Sequence, residues 1–466
     1  MKKQAFNPYL PSWEYIPDGE PYVFGDRVYV YGSHDKFNGH VFCIGDYMGW
    51  SASVDDLASW RCEGVTYPRT ADPANDSGYA CLYAPDVTVG PDGRYYMYYV
   101  LDKLDVVSVA VCDSPAGRYR FYGYVHYKDG TLLGKKAGDE PQFDPGVITE
   151  NGKTWLYTGF CGHNDKSRHG AMCTKLSEDM VTIEEAPVFV VPGAMYSEGT
   201  GFEGHAFFEA SSIRKRNGLY YFVYSSEVMH ELCYAVSDKP NSGFTYGGVI
   251  ISNCDLGIGT YKPKDMPTAF GGNNHGSIVE IKGQWYVFYH RQTNGHWYSR
   301  QGCIEPIYFD KDGRIAQVEL TSCGANGEPL KGCGEYPAYI ACNLFTPERD
   351  IMAGRPGQPR VSQDGADGDK EPGFIRGITN GTTIGFKYFN IEEVSKISVW
   401  TRCYANGTFE VRSSWDGPVL AEIPLKFANI WTEFSADIDF PKGKQCLYLT
   451  YTGRSPIDLK SFAFKK

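Results

Sequence analysis

Five short segments of this chain repeat one pattern, and each opens on an acidic residue or a histidine. They begin at Asp18, Asp86, Asp144, Glu209 and His275. A glycine follows seven to nine residues later in each, at Gly25, Gly93, Gly152, Gly218 and Gly283. Then comes an aromatic and β-branched run, at residues 27–33, 94–100, 153–159, 219–225 and 284–290. Such runs, bounded by turn residues, read as buried strands. The period is roughly 60 to 70 residues, longer than the common propeller repeats. Radial sheet units need this kind of repetition, because each buries its faces only against its neighbours. The pattern predicts a five-bladed β-propeller within residues 1–325, its repeats starting near residue 5. A β-sandwich with chance strand similarity explains the shared turn and shared polar position less well.

After about residue 320 the repeat stops. Segments 324–334 and 354–373 are rich in turn residues, and short alternating strands then return at 383–389, 396–402, 407–412 and 445–451. These predict an antiparallel β-sandwich of jelly-roll type over 336–466. The fold class is therefore all-β, with no strong helical segment. Of the aromatic residues in this part, Trp400, Tyr404 and Trp431, each is expected in the core.

Bulk properties narrow the partners. The formal net charge is −11 with no basic stripe, which argues against nucleic acid and anionic membrane. No run of about 18 apolar residues appears. The start, Met1-Lys2-Lys3-Gln4, lacks the apolar stretch of an export signal, so a cytoplasmic location is expected, or a secreted one if a leader has been removed. The 14 cysteines are scattered without a Cys-x-x-Cys pair, and read as reduced, buried small hydrophobes.

If five blades stack around an axis, the five opening side chains converge at its mouth. A ring of carboxylates on rigid strands suits acid–base chemistry. Inverting hydrolysis of a glycosidic bond needs an acid and a base about 6.5–9.5 Å apart, leaving room for water. The acid must stay protonated, which burial or a neighbouring carboxylate achieves. Glu209 has an apolar setting in Phe207-Phe208-Glu209-Ala210 that favours the neutral form. Asp144 supplies a neighbouring charge. Asp18, beside Gly19, is the choice for a solvated, ionised base, with Glu20 its rival on the same strand face. An aspartate before Pro or Gly is ordinarily a turn residue; the shared repeat position sets these apart. Asp86 shapes the pocket for substrate or caps a turn. His275 permits a metal or hydrated cation at the axis. Arg291 and Arg300 follow the fifth aromatic strand, and surface positions are the default for both.

At these residues the chain resembles glycoside hydrolase family 43. The resemblance covers roughly 7–320 and rests on Asn7-Pro8, Ala84-Pro85-Asp86, Phe143-Asp144-Pro145, Glu209-Ala210, His275-Gly276-Ser277 and the aromatic run ending at His290. It implies a five-bladed propeller of inverting enzymes that release arabinofuranose or xylose from plant polysaccharides and their oligomers. It further implies Asp18 as general base, Asp144 as the residue tuning the acid, and Glu209 as general acid. By the same resemblance His275 is a ligand of a central Ca2+, often through water, and Arg300 meets substrate. The chain departs from the family's frequent Asp-Pro at the base position, having Asp18-Gly19-Glu20-Pro21. Residues 336–466 look like a family 6 carbohydrate-binding module, carried by 381–389, Val411-Arg412 and 457–462. Such modules bind glycans on aromatic platforms, and some carry structural calcium.

The expectation is an exo-acting pentosidase of α-L-arabinofuranosidase or β-xylosidase type, with an oligosaccharide substrate and no organic cofactor. The alternatives are an endo-acting arabinanase or xylanase and a glycan-binding propeller without catalysis. The fructosidase signatures Asn-Asp-Pro, Arg-Asp-Pro and Glu-Cys are absent. Loops 36–47 and 160–168 are expected to shape the sugar pocket.

Overall fold

The computed structural model describes residues 3–466, so the first two residues of the predicted propeller segment lie outside it. Four four-stranded antiparallel sheets and one three-stranded sheet follow one another in chain order. The first is Glu20–Phe24, Arg27–Tyr31, Tyr47–Ser53 and Asp56–Tyr67. The second runs from Leu82–Val89 to Arg120–Tyr124, the third from Gly146–Glu150 to Ile183–Pro192, and the fourth from Phe207–Arg216 to Thr245–Ser252. The fifth has Ser277–Ile281, Gln284–Arg291 and Gln301–Ile307. In each blade the first strand lies innermost, and the inner strands neighbour one another around a ring. This is the predicted propeller.

The fifth blade is completed by the start of the chain. The amide of Tyr9 donates to the Gly302 carbonyl, and Asn7 both donates to the Ile304 carbonyl and accepts from the Ile304 amide. Joining the two ends of a ring in this way satisfies the outer edge of its last blade. Between blades the core is aromatic and aliphatic: Tyr221, Tyr234, Val287 and Tyr289 pack between the fourth and fifth, for example.

Past the ring, two six-stranded sheets form a sandwich. One is built on Thr383–Ile391, Gly443–Gly453 and Gly407–Arg412; the other on Phe374–Ile378, Ile457–Lys465 and Lys396–Cys403. Alternate residues such as Ile397, Val399, Phe409, Val411, Leu447 and Leu449 fill the space between them. The expectation for the three sandwich aromatics is corrected: Trp400 and Trp431 are half-buried and Tyr404 is exposed. They sit outside the inward set of their sheet, and Trp431 instead lies under the Arg402 guanidinium at 4.4 Å.

Propeller and sandwich share a polar seam. Lys387, fully buried on the sandwich, lies 2.7 Å from Glu319 and 3.4 Å from Asp255 of the propeller side. Arg291 donates to the carbonyls of Ala341 and Cys342. Its default surface reading is therefore wrong: it is buried at this seam. All cysteines are free, and all but Cys62 and Cys333 are buried. The helical elements among the described residues are short 3-10 turns, and no helix there is long and apolar enough to cross a membrane.

Candidate active site

A cavity of about 430 Å³ opens where the inner strands begin, within the usual range for small-ligand sites. Asp18, Asp144, Glu209, His275 and Arg300 all line it. Its walls are aromatic: Phe42, Tyr83, Phe143, Phe160, Phe208, Trp297 and Tyr298. Loops 36–47 and 160–168 contribute Phe42 and Phe160, as the sequence suggested.

Local backbone geometry aims the acids. Asp18 precedes its strand with φ of 57° and Asp144 precedes its own with φ of 41°, both in the left-handed region. Ala210, directly after Glu209, has φ of 70°. Strand register also slips on both sides of Glu209, as at bulges that re-aim a side chain. Left-handed non-glycine residues cost about 1–3 kcal/mol each and persist where surrounding bonds hold them. Here the Ala210 amide donates to Asp144 Oδ2 at 3.0 Å, and the Asp18 amide donates to His290 Nδ1 at 3.3 Å.

Asp18 and Glu209 separate electrostatically. Asp18 is buried, which corrects the expectation of a solvated base. Burial by itself would raise its pKa, but the Arg300 guanidinium, with His290 and His275 beside it, holds the carboxyl well below the usual carboxylate range. Arg300 Nη1 lies 3.0 Å from Asp18 Oδ1. Arg300 is itself buried, not on the surface, and is gripped by Asp35 through Nε at 2.8 Å and Nη2 at 3.1 Å. Glu209 moves the other way: burial, with the Asp18 charge adding to it, pushes it up to about 7 against the pull of Asn273 and Arg300. Asp144 is also pushed up, by burial and by the charges of Glu209 and Asp18. Two buried carboxyls this close cannot both ionise cheaply, so the pair keeps a proton near neutral pH.

Two expected site residues fall elsewhere. Asp86 does not reach the cavity; it is fully buried and accepts from the Tyr22 hydroxyl at 2.6 Å and from the amides of Val87 and Val147, both at 2.7 Å. With these bonds made it has no face for substrate, and its expected substrate contact is corrected to a structural role. Glu20, the rival base, points into the interior with its Oε2 2.6 Å from Arg214. It is absent from the cavity wall; burial and the neighbouring Asp86 push its pKa up, against the pull of Arg214. Asp35, Asn273 and His290 were missed because no local motif marks them; each meets the site across the ring.

His275 does face the site, its Nδ1 3.6 Å from Asp144 and 3.9 Å from Asp18. Burial lowers it to about 4, leaving a neutral imidazole. A calcium ion wants six to eight oxygen ligands. The nearby carboxylates are engaged, Asp18 by Arg300 and Asp144 by the Ala210 amide. This donor set does not fit a directly ligated calcium.

The sequence model for glycosyl hydrolases family 43 matches residues 18–315. A xylosidase/arabinosidase of Thermoclostridium stercorarium is 62% identical, with 99% of each chain covered. Among solved structures, a family 43 β-xylosidase/α-arabinofuranosidase from a compost metagenome, in complex with xylotriose and in a calcium-free form, is 26% identical at a TM-score of 0.53, covering 68% of this chain and 98% of that one. A family 43 arabinoxylan arabinofuranohydrolase of Bacillus subtilis, at 20% identity and a TM-score of 0.54, shares the fold over 99% of this chain and 97% of its own.

Proposed function

The chain belongs to glycoside hydrolase family 43, and on that premise we propose that it releases terminal pentoses, α-L-arabinofuranose or β-D-xylose, from oligosaccharides by a single inverting displacement. The observation that carries this reading is geometric: two buried carboxyls face one cavity, Asp18 held ionised by Arg300 at 3.0 Å and Glu209 pushed towards its protonated form by burial. A terminal sugar enters between them. Glu209 passes its proton to the glycosidic oxygen as that bond breaks. Asp18 takes a proton from a water that attacks the anomeric carbon from the opposite face. Asp144, buried beside Glu209, disfavours early loss of the acid's proton. The aromatic walls pack on the sugar's CH faces.

Nitrophenyl α-L-arabinofuranoside and β-D-xylopyranoside test the activity, and NMR of the first-formed sugar tests the stereochemistry. Turnover that collapses in Asp18→Ala, with an inverted first product, is the expected result. A retained anomer overturns the single displacement, and no turnover of either sugar overturns the pentosidase reading.

A further inference from the structure

Three side-chain amides lead into the general acid, and their directions can be read without ambiguity. Asn253 Nδ2 lies 3.4 Å from the Gly272 carbonyl and 3.1 Å from the Asn273 carbonyl. Backbone carbonyls only accept, so the NH2 of Asn253 faces them. The same NH2 is 3.2 Å from Gln292, which must therefore present its oxygen, Oε1. Gln292 Nε2 then faces the Asn273 carbonyl at 2.8 Å and the Asn273 side-chain oxygen at 3.3 Å. That leaves the Asn273 NH2 for Glu209 Oε1, at 3.3 Å. His290 Nε2 donates to the same Asn273 carbonyl at 2.8 Å and fixes the backbone of the last link.

An amide N–H arriving at a neutral carboxyl prefers its carbonyl oxygen. We propose that the chain Asn253–Gln292–Asn273 is a directional device that makes Oε1 of Glu209 the carbonyl oxygen and so places the acidic proton on Oε2. Oε2 has no hydrogen-bond partner among the described residues and is not fully enclosed, so it is open to the cavity. Asn253 and Gln292 are fully buried and do not line the cavity; they act through Asn273 as positioning residues. The inference rests on Glu209 being the general acid.

The direction depends on Gln292 offering an oxygen to Asn253 and an NH2 to Asn273. Gln292→Glu keeps the size and, when ionised, offers only acceptor oxygens on both sides. It draws the Asn273 NH2 away and turns the Asn273 oxygen towards Glu209, which moves the proton to Oε1. Asn273→Ala removes the last link altogether.

The test is kcat/KM on aryl pentosides whose leaving groups range from dinitrophenol to phenol, for the unaltered chain, Gln292→Glu, Asn273→Ala and Glu209→Ala. Leaving groups that need protonation report the acid; dinitrophenol does not. The expected result is that Gln292→Glu and Asn273→Ala each lose roughly tenfold or more on phenyl pentosides relative to their own loss on dinitrophenyl pentosides. Glu209→Ala shows the same steepening in stronger form. Equal losses on every leaving group in both amide variants, beside a steepened Glu209→Ala, overturn the directional device and leave the acid in place. An unsteepened Glu209→Ala overturns the acid assignment itself.

Discussion

Arg300 places Nη1 3.0 Å from Oδ1 of Asp18, and this contact decides the charge of a carboxyl that burial would otherwise neutralise. The same guanidinium is clamped by Asp35 from behind, so one cation serves two buried anions. Removing the cation leaves both uncompensated, a change that costs about 3–5 kcal/mol at a buried ion pair. Arg300→Leu is expected to lower stability and to raise the Asp18 pKa, because burial then acts unopposed. A pH–rate profile checks this: an acid limb should appear in the variant at a pH where the unaltered chain shows none from Asp18.

As the proposed general acid, Glu209 sets the other side of the profile. Only its protonated form donates, and it titrates at about 7. The kcat/KM of the unaltered chain on a phenyl pentoside should therefore fall as pH rises through about 7. On a dinitrophenyl pentoside, which needs no acid, that fall should be much weaker. Equal falls on both substrates would assign the limb to another group.

Asp18 and Glu20 stand two residues apart, yet only Asp18 faces the cavity. Glu20 is held by Arg214 away from the cavity, so Glu20→Gln should hold kcat within about tenfold. Asp18→Asn should lower kcat by about 10³-fold or more at similar KM, since the proposed displacement then has no base for the water. Parallel kinetics on the two variants distinguish the rivals.

Lys387 joins the sandwich to Asp255 and Glu319 with no solvent contact. Lys387→Met removes the cation from two anions, one of them fully buried. The expected cost is about 3–5 kcal/mol, read as a lower Tm in calorimetry with KM for a nitrophenyl pentoside unchanged. A Tm equal to that of the unaltered chain would mean the seam is held by its other contacts.

What the sequence determined by itself was everything written in local pattern. A glycine turn behind each opening polar residue, and an aromatic strand behind that, fixed the five blades and put Asp18, Asp144, Glu209 and His275 at the mouth of the ring. Strand alternation and turn chemistry act over a few residues, so they are legible in one chain. The ring closure placed Arg300 against Asp18 and Asp35, carried Asn273 to Glu209, and set Asp86 and Glu20 below the cavity floor. Those relations join residues far apart in sequence, such as Asp18 and Arg300, 282 positions apart. The protonation of each carboxyl follows from such neighbours and from burial. Sequence alone therefore supplied the candidate acids and bases, and the tertiary structure decided which of them is charged.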